Sequence, residues 1–110
     1  MRKHYAKLIR DRIPEIMDHA GVTYETRTLS DEEFAAALRS KLVEEAREAA
    51  QAPRGQLAKE LGGVIEVLHA LAEFEGIDLR DVENVRRARA EVRGAFRLRL
   101  FLEWTEEPAR

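Results

Sequence analysis

The run from Leu29 to Gly76 limits the fold more than any other part of the chain, because it holds two long helical segments with a single interruption. Ser30 followed by Glu33 is a capping box, and Leu29 with Phe34 can close a hydrophobic staple across it. The helix begun there is expected to run to about Ala52, where Ala52-Pro53-Arg54-Gly55 stops it. A second helix is expected from about Gln56 to Glu75, ending at Gly76. So short a connection turns the second helix back along the first as an antiparallel hairpin.

Weaker signals flank this pair. Pro14 suits the first turn of a short helix from about Ile13 to Ala20, and Gly21 suits its left-handed cap. Asp78 caps a third long helix expected to reach about Arg93, before Gly94. Val22 to Leu29 is rich in β-branched residues, and Phe96, Leu98, Leu100, Leu102 and Trp104 recur with a period of two. Segments 22–29 and 96–104 are therefore expected to be extended, and they could pair as a small two-stranded antiparallel sheet. The expected fold class is mainly α, an antiparallel helical bundle with that sheet as its one β element. With 110 residues and no repeat, low-complexity tract or Ser/Gly linker, a single domain is expected.

Hydrophobic residues make up 45%, which excludes a chain too polar to collapse. No apolar run approaches the roughly 20 residues that cross a bilayer, and Met1-Arg2-Lys3-His4-Tyr5 is followed by no apolar stretch of the secretory kind. A cytoplasmic protein without a membrane partner is expected. Cysteine is absent, which removes disulfides, thiolate metal sites and cysteine nucleophiles. The net charge of −2 argues against a protein that coats polymeric nucleic acid. That balance conceals segregation. Residues 1–12 hold five bases against Asp11, residues 31–83 hold thirteen acids against six bases, and residues 86–99 hold six arginines against Glu91.

Some charges fall where apolar residues belong. On the first long helix Phe34, Leu38, Leu42 and Ala49 form one stripe, and Glu45 sits on it. A carboxylate facing a core is costly unless it is paired or bound to a cation. Glu44, Glu45 and Glu48 together span an arc of roughly 100°. Two readings stay open: surface glutamates bridging to Lys41 or Arg47, or a carboxylate set relieved by a cation. The second helix is expected to bury Leu57, Leu61, Val64, Leu68 and Leu71, with Glu60 beside that stripe and Glu66 facing solvent. In a hairpin, Glu60 meets Glu45 and Glu48. Carboxylates without nitrogen or sulfur ligands suit Mg²⁺ or Mn²⁺. His4, His19 and His69 show no ligand spacing. On the third helix Arg89 interrupts the stripe Val82, Val85, Val92, and a buried arginine needs an acid or a phosphate.

Four stretches in order carry a family resemblance. Lys7-Leu-Ile-Arg-Asp-Arg-Ile-Pro-Glu15 is similar to a Lys-Leu-Val-Arg-Asp-Lys-Ile-Pro-Glu opening, and Lys41-Leu-Val-Glu-Glu-Ala-Arg-Glu48 to a Lys-Leu-x-Glu-Glu-x-x-Glu helix. Glu60-Leu-Gly-Gly-Val-Ile-Glu-Val67 is similar to Glu-Leu-Ala-Asp-Val-x-Glu-Val, and Arg89 to Phe96 to a Lys-x-x-x-Arg-Gly-Gly-Phe segment. This pattern resembles a small bacterial and phage family of the all-α nucleoside triphosphate pyrophosphohydrolases, the MazG and phosphoribosyl-ATP pyrophosphohydrolase-like superfamily.

The resemblance implies Mg²⁺-dependent cleavage between the α and β phosphates of a nucleotide, yielding a monophosphate and pyrophosphate. The substrate expected is a nucleoside triphosphate, such as a noncanonical or damaged one. It implies catalytic roles for Glu44 and Glu45, a metal set of Glu45, Glu48 and Glu60, and phosphate binding by Lys7, Arg10, Arg89 and Arg93. It also implies a homodimer or higher assembly. The family's aspartate three residues after Glu60 is Gly63 here, so one ligand oxygen is lost. The alternatives are a degenerate member that binds nucleotides or a protein without hydrolysis, and a purely structural oligomerisation module.

Overall fold

The computed structural model describes residues 1–109, which form α1 (Ile13–His19), α2 (Asp31–Gln51), α3 (Arg54–Phe74) and α4 (Leu79–Arg93). Mainly α is therefore the fold class, and no helix among the described residues is long and apolar enough to cross a membrane. The chain forms two compact units, Met1–Asp78 and a second from Leu79 onward.

The start of α2 follows its sequence signal. Ser30 Oγ accepts from the Glu33 N–H at 3.2 Å, and Glu33 Oε1 accepts from the Ser30 N–H at 3.2 Å. Arg27 adds a two-pronged bond to the same carboxylate, at 3.2 and 2.8 Å. The Arg27 guanidinium, with help from Ser30, holds Glu33 at about 2, so the cap stays charged at neutral pH. This ties segment 22–29 to the helix it precedes.

Ala52 and Pro53 are both extended and reverse the chain between α2 and α3. A residue before proline is pushed out of the α region, which is why α2 stops at Gln51. Phe34, in the first turn of α2, meets Phe74, the last residue of α3, edge to face with centroids 5.2 Å apart. The two helices are therefore an antiparallel hairpin. At its far end α3 closes with a Schellman pair, in which Gly76 N–H donates to Glu73 O at 3.2 Å and Ile77 N–H to Ala72 O at 2.8 Å. Gly76 has φ +69°, a conformation that residues with a Cβ seldom adopt.

The hairpin core is small: Leu38, only 1% exposed, packs in a unit whose other buried residues are Gly63, Val67 and Ala72. This corrects the expected α3 stripe. Leu57, Val64 and Leu71 are half-buried, while Leu61 and Leu68 are exposed. The buried line instead runs through Glu60, Gly63 and Val67, with Glu60 half-buried. Small residues such as Gly63 and Ala72 let backbones approach closely, and a hydrophobicity pattern gives them little weight.

The expected sheet is not found, since no strand occurs among the described residues. Segment 96–104 fails locally. Arg99 N–H donates to Phe96 O at 3.4 Å, closing a turn, and Arg99 has φ +58°, far from any strand value. Segment 22–29 makes side-chain anchors instead of a ladder: Tyr24 hydrogen-bonds Asp18, which holds the phenol above its usual range. Within the second unit α4 has no buried residue, and Val82, Val85, Arg89 and Val92 are all exposed. Arg89 is thus not the buried arginine its stripe position suggested, because this unit has no other helix or strand to cover that face.

Candidate carboxylate site

The site arises where α2 and α3 face each other, in the half of the hairpin nearer the turn at Ala52 and Pro53. Glu45 lies two turns after Leu38 on the same face, so the register that buries Leu38 also turns Glu45 inward, leaving its side chain 14% exposed. Glu48 follows three residues later at the rim and is exposed. Across the interface Glu60 projects from the second turn of α3. One carboxylate oxygen from each of these three residues lies within 4.8 Å of the other two.

Gly63, one turn beyond Glu60, forms the floor beneath Glu45. A Cβ placed on Gly63 would stand 2.5 Å from Glu45 Oε2 and 3.4 Å from its Cδ. No side chain fits there without moving that carboxylate. The space that an aspartate would occupy at position 63 is filled by the Glu45 head group. Gly62, by contrast, would place a Cβ in open space.

The other face of the glutamate cluster is basic. Lys41 Nζ lies 3.6 Å from Glu45 Oε1 and 3.4 Å from Glu44 Oε2, and its side chain is only 16% exposed. Lys7 Nζ lies 4.0 Å from Glu44 Oε1, and it also sits 5.4 Å from the Tyr5 ring centroid. The order Lys7, Glu44, Lys41, Glu45 therefore alternates in sign from the surface inward. Lys7, Lys41 and Glu44 line a cavity of about 150 Å³.

The structure thus joins Glu45, Glu48 and Glu60, and separates Glu44 from them by engaging it with two lysines. Of the two readings, the ion pair is present, because Lys41 bridges Glu44 and Glu45, while Glu45 also reaches Glu48 and Glu60. Arg10 is exposed and makes no side-chain bond among the described residues. Arg89 and Arg93 belong to the second unit, and neither has an ion-pair partner among the described residues. Lys41 is the residue that sequence reasoning undervalued, treating it only as a surface ion-pair partner. Its i,i+3 and i,i+4 spacing to Glu44 and Glu45 was the available signal.

A hard divalent cation is compatible with this donor set. All three donors are carboxylates, from two helices. Oxygens bound to one Mg²⁺ stand at most roughly 4.2 Å apart, and one oxygen from each of the three glutamates lies within 4.8 Å of the others.

No family model matches the chain, and no solved structure matches it. An uncharacterized protein of Mycolicibacterium smegmatis (strain ATCC 700084 / mc(2)155) is 49% identical over 57 residues, which is 52% of this chain and 58% of that protein. The chain thus spans under two thirds of the curated relative it matches.

Proposed function

We propose that the protein is a Mg²⁺- or Mn²⁺-dependent nucleoside triphosphate pyrophosphohydrolase of the all-α, MazG-like kind. The observation that carries this reading is the convergence of Glu45, Glu48 and Glu60 across the α2–α3 hairpin. The ordered resemblance from Lys7 to Phe96 supplies the reaction. When bound, the cation would orient the triphosphate and lower the pKa of an attacking water.

The chain's own residues supply the rest. Glu45, Glu48 and Glu60 hold the cation. Glu44, outside that set, is the group left to take a proton from the attacking water. Lys7 and Lys41 place two positive charges beside the carboxylates, offsetting their repulsion of a polyanion. Arg10 adds an unpaired guanidinium on the same unit; Arg89 and Arg93, to which the resemblance also assigns phosphate binding, belong to the second unit. A cytoplasmic setting suits a nucleotide substrate.

The test is pyrophosphate release from a panel of ordinary and noncanonical nucleoside triphosphates with Mg²⁺ or Mn²⁺. Release with formation of the monophosphate is expected. Folded protein that turns over none of them sinks the enzyme reading. Gly63, which brings no ligand oxygen, favours a second reading: nucleotide binding without hydrolysis. That reading expects thermal stabilisation by nucleotide with no product.

We also infer self-association as a homodimer or higher assembly. Leu61, Ile65 and Leu68 recur at four- and three-residue steps on one exposed face of α3, a stripe broader than isolated surface residues explain. Sedimentation should give a multiple of the 12.6 kDa chain mass, and a stable single-chain mass would refute the assembly.

A further inference from the structure

Lys41 is the one base paired with any member of the glutamate triad, since neither Glu48 nor Glu60 has an ion pair among the described residues. Its ammonium stands 3.4 Å from Glu44 Oε2 and 3.6 Å from Glu45 Oε1, and its side chain is only 16% exposed. The helix spacing explains that burial. Lys41 lies three residues after Leu38, the most buried side chain of the hairpin, so its aliphatic stem runs partly under cover. An ammonium so placed needs carboxylate partners, and Glu44 and Glu45 are the two it has.

Glu45 is divided between two neighbours. Its Oε1 faces Lys41, whereas its Oε2 lies against Gly63 of α3, one turn beyond Glu60. A cation held by Glu45, Glu48 and Glu60 therefore draws on the same carboxylate as the Lys41 ammonium. Positive charges that share one half-buried carboxylate repel each other, with little water between them to screen the repulsion. The grip of Lys41 on Glu45 is also loose. Charge-assisted bonds of this kind close to about 2.8 Å, and of the two contacts only that with Glu44 is a hydrogen bond. Glu44 is thus a second berth, to which the ammonium can turn when Glu45 is taken.

We infer that Lys41 is the resident counter-ion of the carboxylate site and competes with the divalent cation for Glu45. In the cation-free protein it offsets the mutual repulsion of the three glutamates and keeps them assembled. When the site fills, it gives up Glu45 and keeps Glu44. Lys41 therefore holds the affinity for free Mg²⁺ or Mn²⁺ below what the three carboxylates alone would give. This rests on the cation reading of Glu45, Glu48 and Glu60, and it holds whichever nucleotide is the substrate.

The test is titration calorimetry of the full chain with Mn²⁺, joined to thermal melting. Lys41→Met keeps the aliphatic stem and removes the charge. It should bind Mn²⁺ about tenfold more tightly than the natural chain. Without cation it should melt lower, and saturating Mn²⁺ should raise its melting temperature by more than it raises that of the natural chain. Lys41→Arg keeps the charge and should bind as the natural chain does. Lys41→Gln, neutral and still able to donate to Glu44, tests the same sign if the methionine variant does not fold. Arg39→Met removes a base from the exposed side of α2 and should shift the affinity by less than about twofold. Weaker Mn²⁺ binding in Lys41→Met would mean that Lys41 holds Glu45 in place for the cation, and unchanged binding that the ammonium is not coupled to it. Either result overturns the inference and leaves the cation site standing. Equal tightening in Arg39→Met also overturns it, because net charge would then be the cause. Mn²⁺ binding by neither the natural chain nor Lys41→Met sinks the cation reading and this inference together.

Discussion

Glu45→Gln should abolish divalent-cation binding and lower pyrophosphate release by at least about 100-fold, while the fold survives. Changes in groups that merely orient ligands cost up to about 100-fold, and Glu45 is the innermost carboxylate of the set itself. Glutamine keeps the size of the side chain, so the space over Gly63 stays filled. The stability cost is small for a specific reason. Lys41 loses Glu45 but keeps Glu44 at 3.4 Å, so no half-buried ammonium is left alone. A change within about 1 kcal/mol is expected, the scale of a single ion pair with other partners at hand. Calorimetry with Mn²⁺, thermal melting and product release measure the three quantities separately. Glu44→Gln is the companion variant. It should retain cation binding, since Glu44 lies outside the triad, and lose turnover if it takes the proton. A Glu45→Gln protein that binds Mn²⁺ as the natural chain does would end the metal reading.

The parts of the site that could be read in the sequence are those set by position along one helix. Glu45 on the stripe of Leu38 and Leu42 follows from spacing alone, and the structure turns it inward as expected. The hairpin followed from Ser30, Glu33 and Pro53, whose effects are local. The face that α3 buries did not follow. Leu57, Leu61, Val64, Ile65, Val67, Leu68 and Leu71 surround most of that helix, so periodicity offers several faces. The choice falls to close approach at Gly63, which hydrophobicity does not register. The alternation of Phe96 to Trp104 misled for a related reason. A period of two licenses a strand only if a partner edge exists and the backbone stays extended, and the turn at Phe96–Arg99 breaks the second condition. Arg89 was misplaced because a stripe of valines implies a covering surface that the second unit itself lacks.

Gly63 is where sequence and structure together give a result neither gives alone. Compared with the resembling family it is a missing ligand, yet in the structure it is the room in which Glu45 sits. Three substitutions separate these meanings. Gly62→Ala meets nothing within 4 Å, so it should only stabilise the helix, by about 1 kcal/mol, with cation affinity unchanged. Gly63→Ala brings the same propensity gain but drives a Cβ to 2.5 Å from Glu45 Oε2. That oxygen is the far end of a flexible side chain, so the helix tolerates the change and the carboxylate swings aside. The expected result is a normal fold with cation affinity about tenfold weaker, the loss of one well-placed ligand bond. Gly63→Asp displaces Glu45 in the same way but returns a carboxylate to the cluster. Cation affinity and pyrophosphate release should then exceed those of Gly63→Ala. The cation-free protein should melt lower than Gly63→Ala, because a fourth like charge joins the three glutamates. If Gly63→Ala binds Mn²⁺ as tightly as the natural chain, the contact with Glu45 does not shape the site. If Gly63→Asp binds no better than Gly63→Ala, a missing ligand is not what limits it.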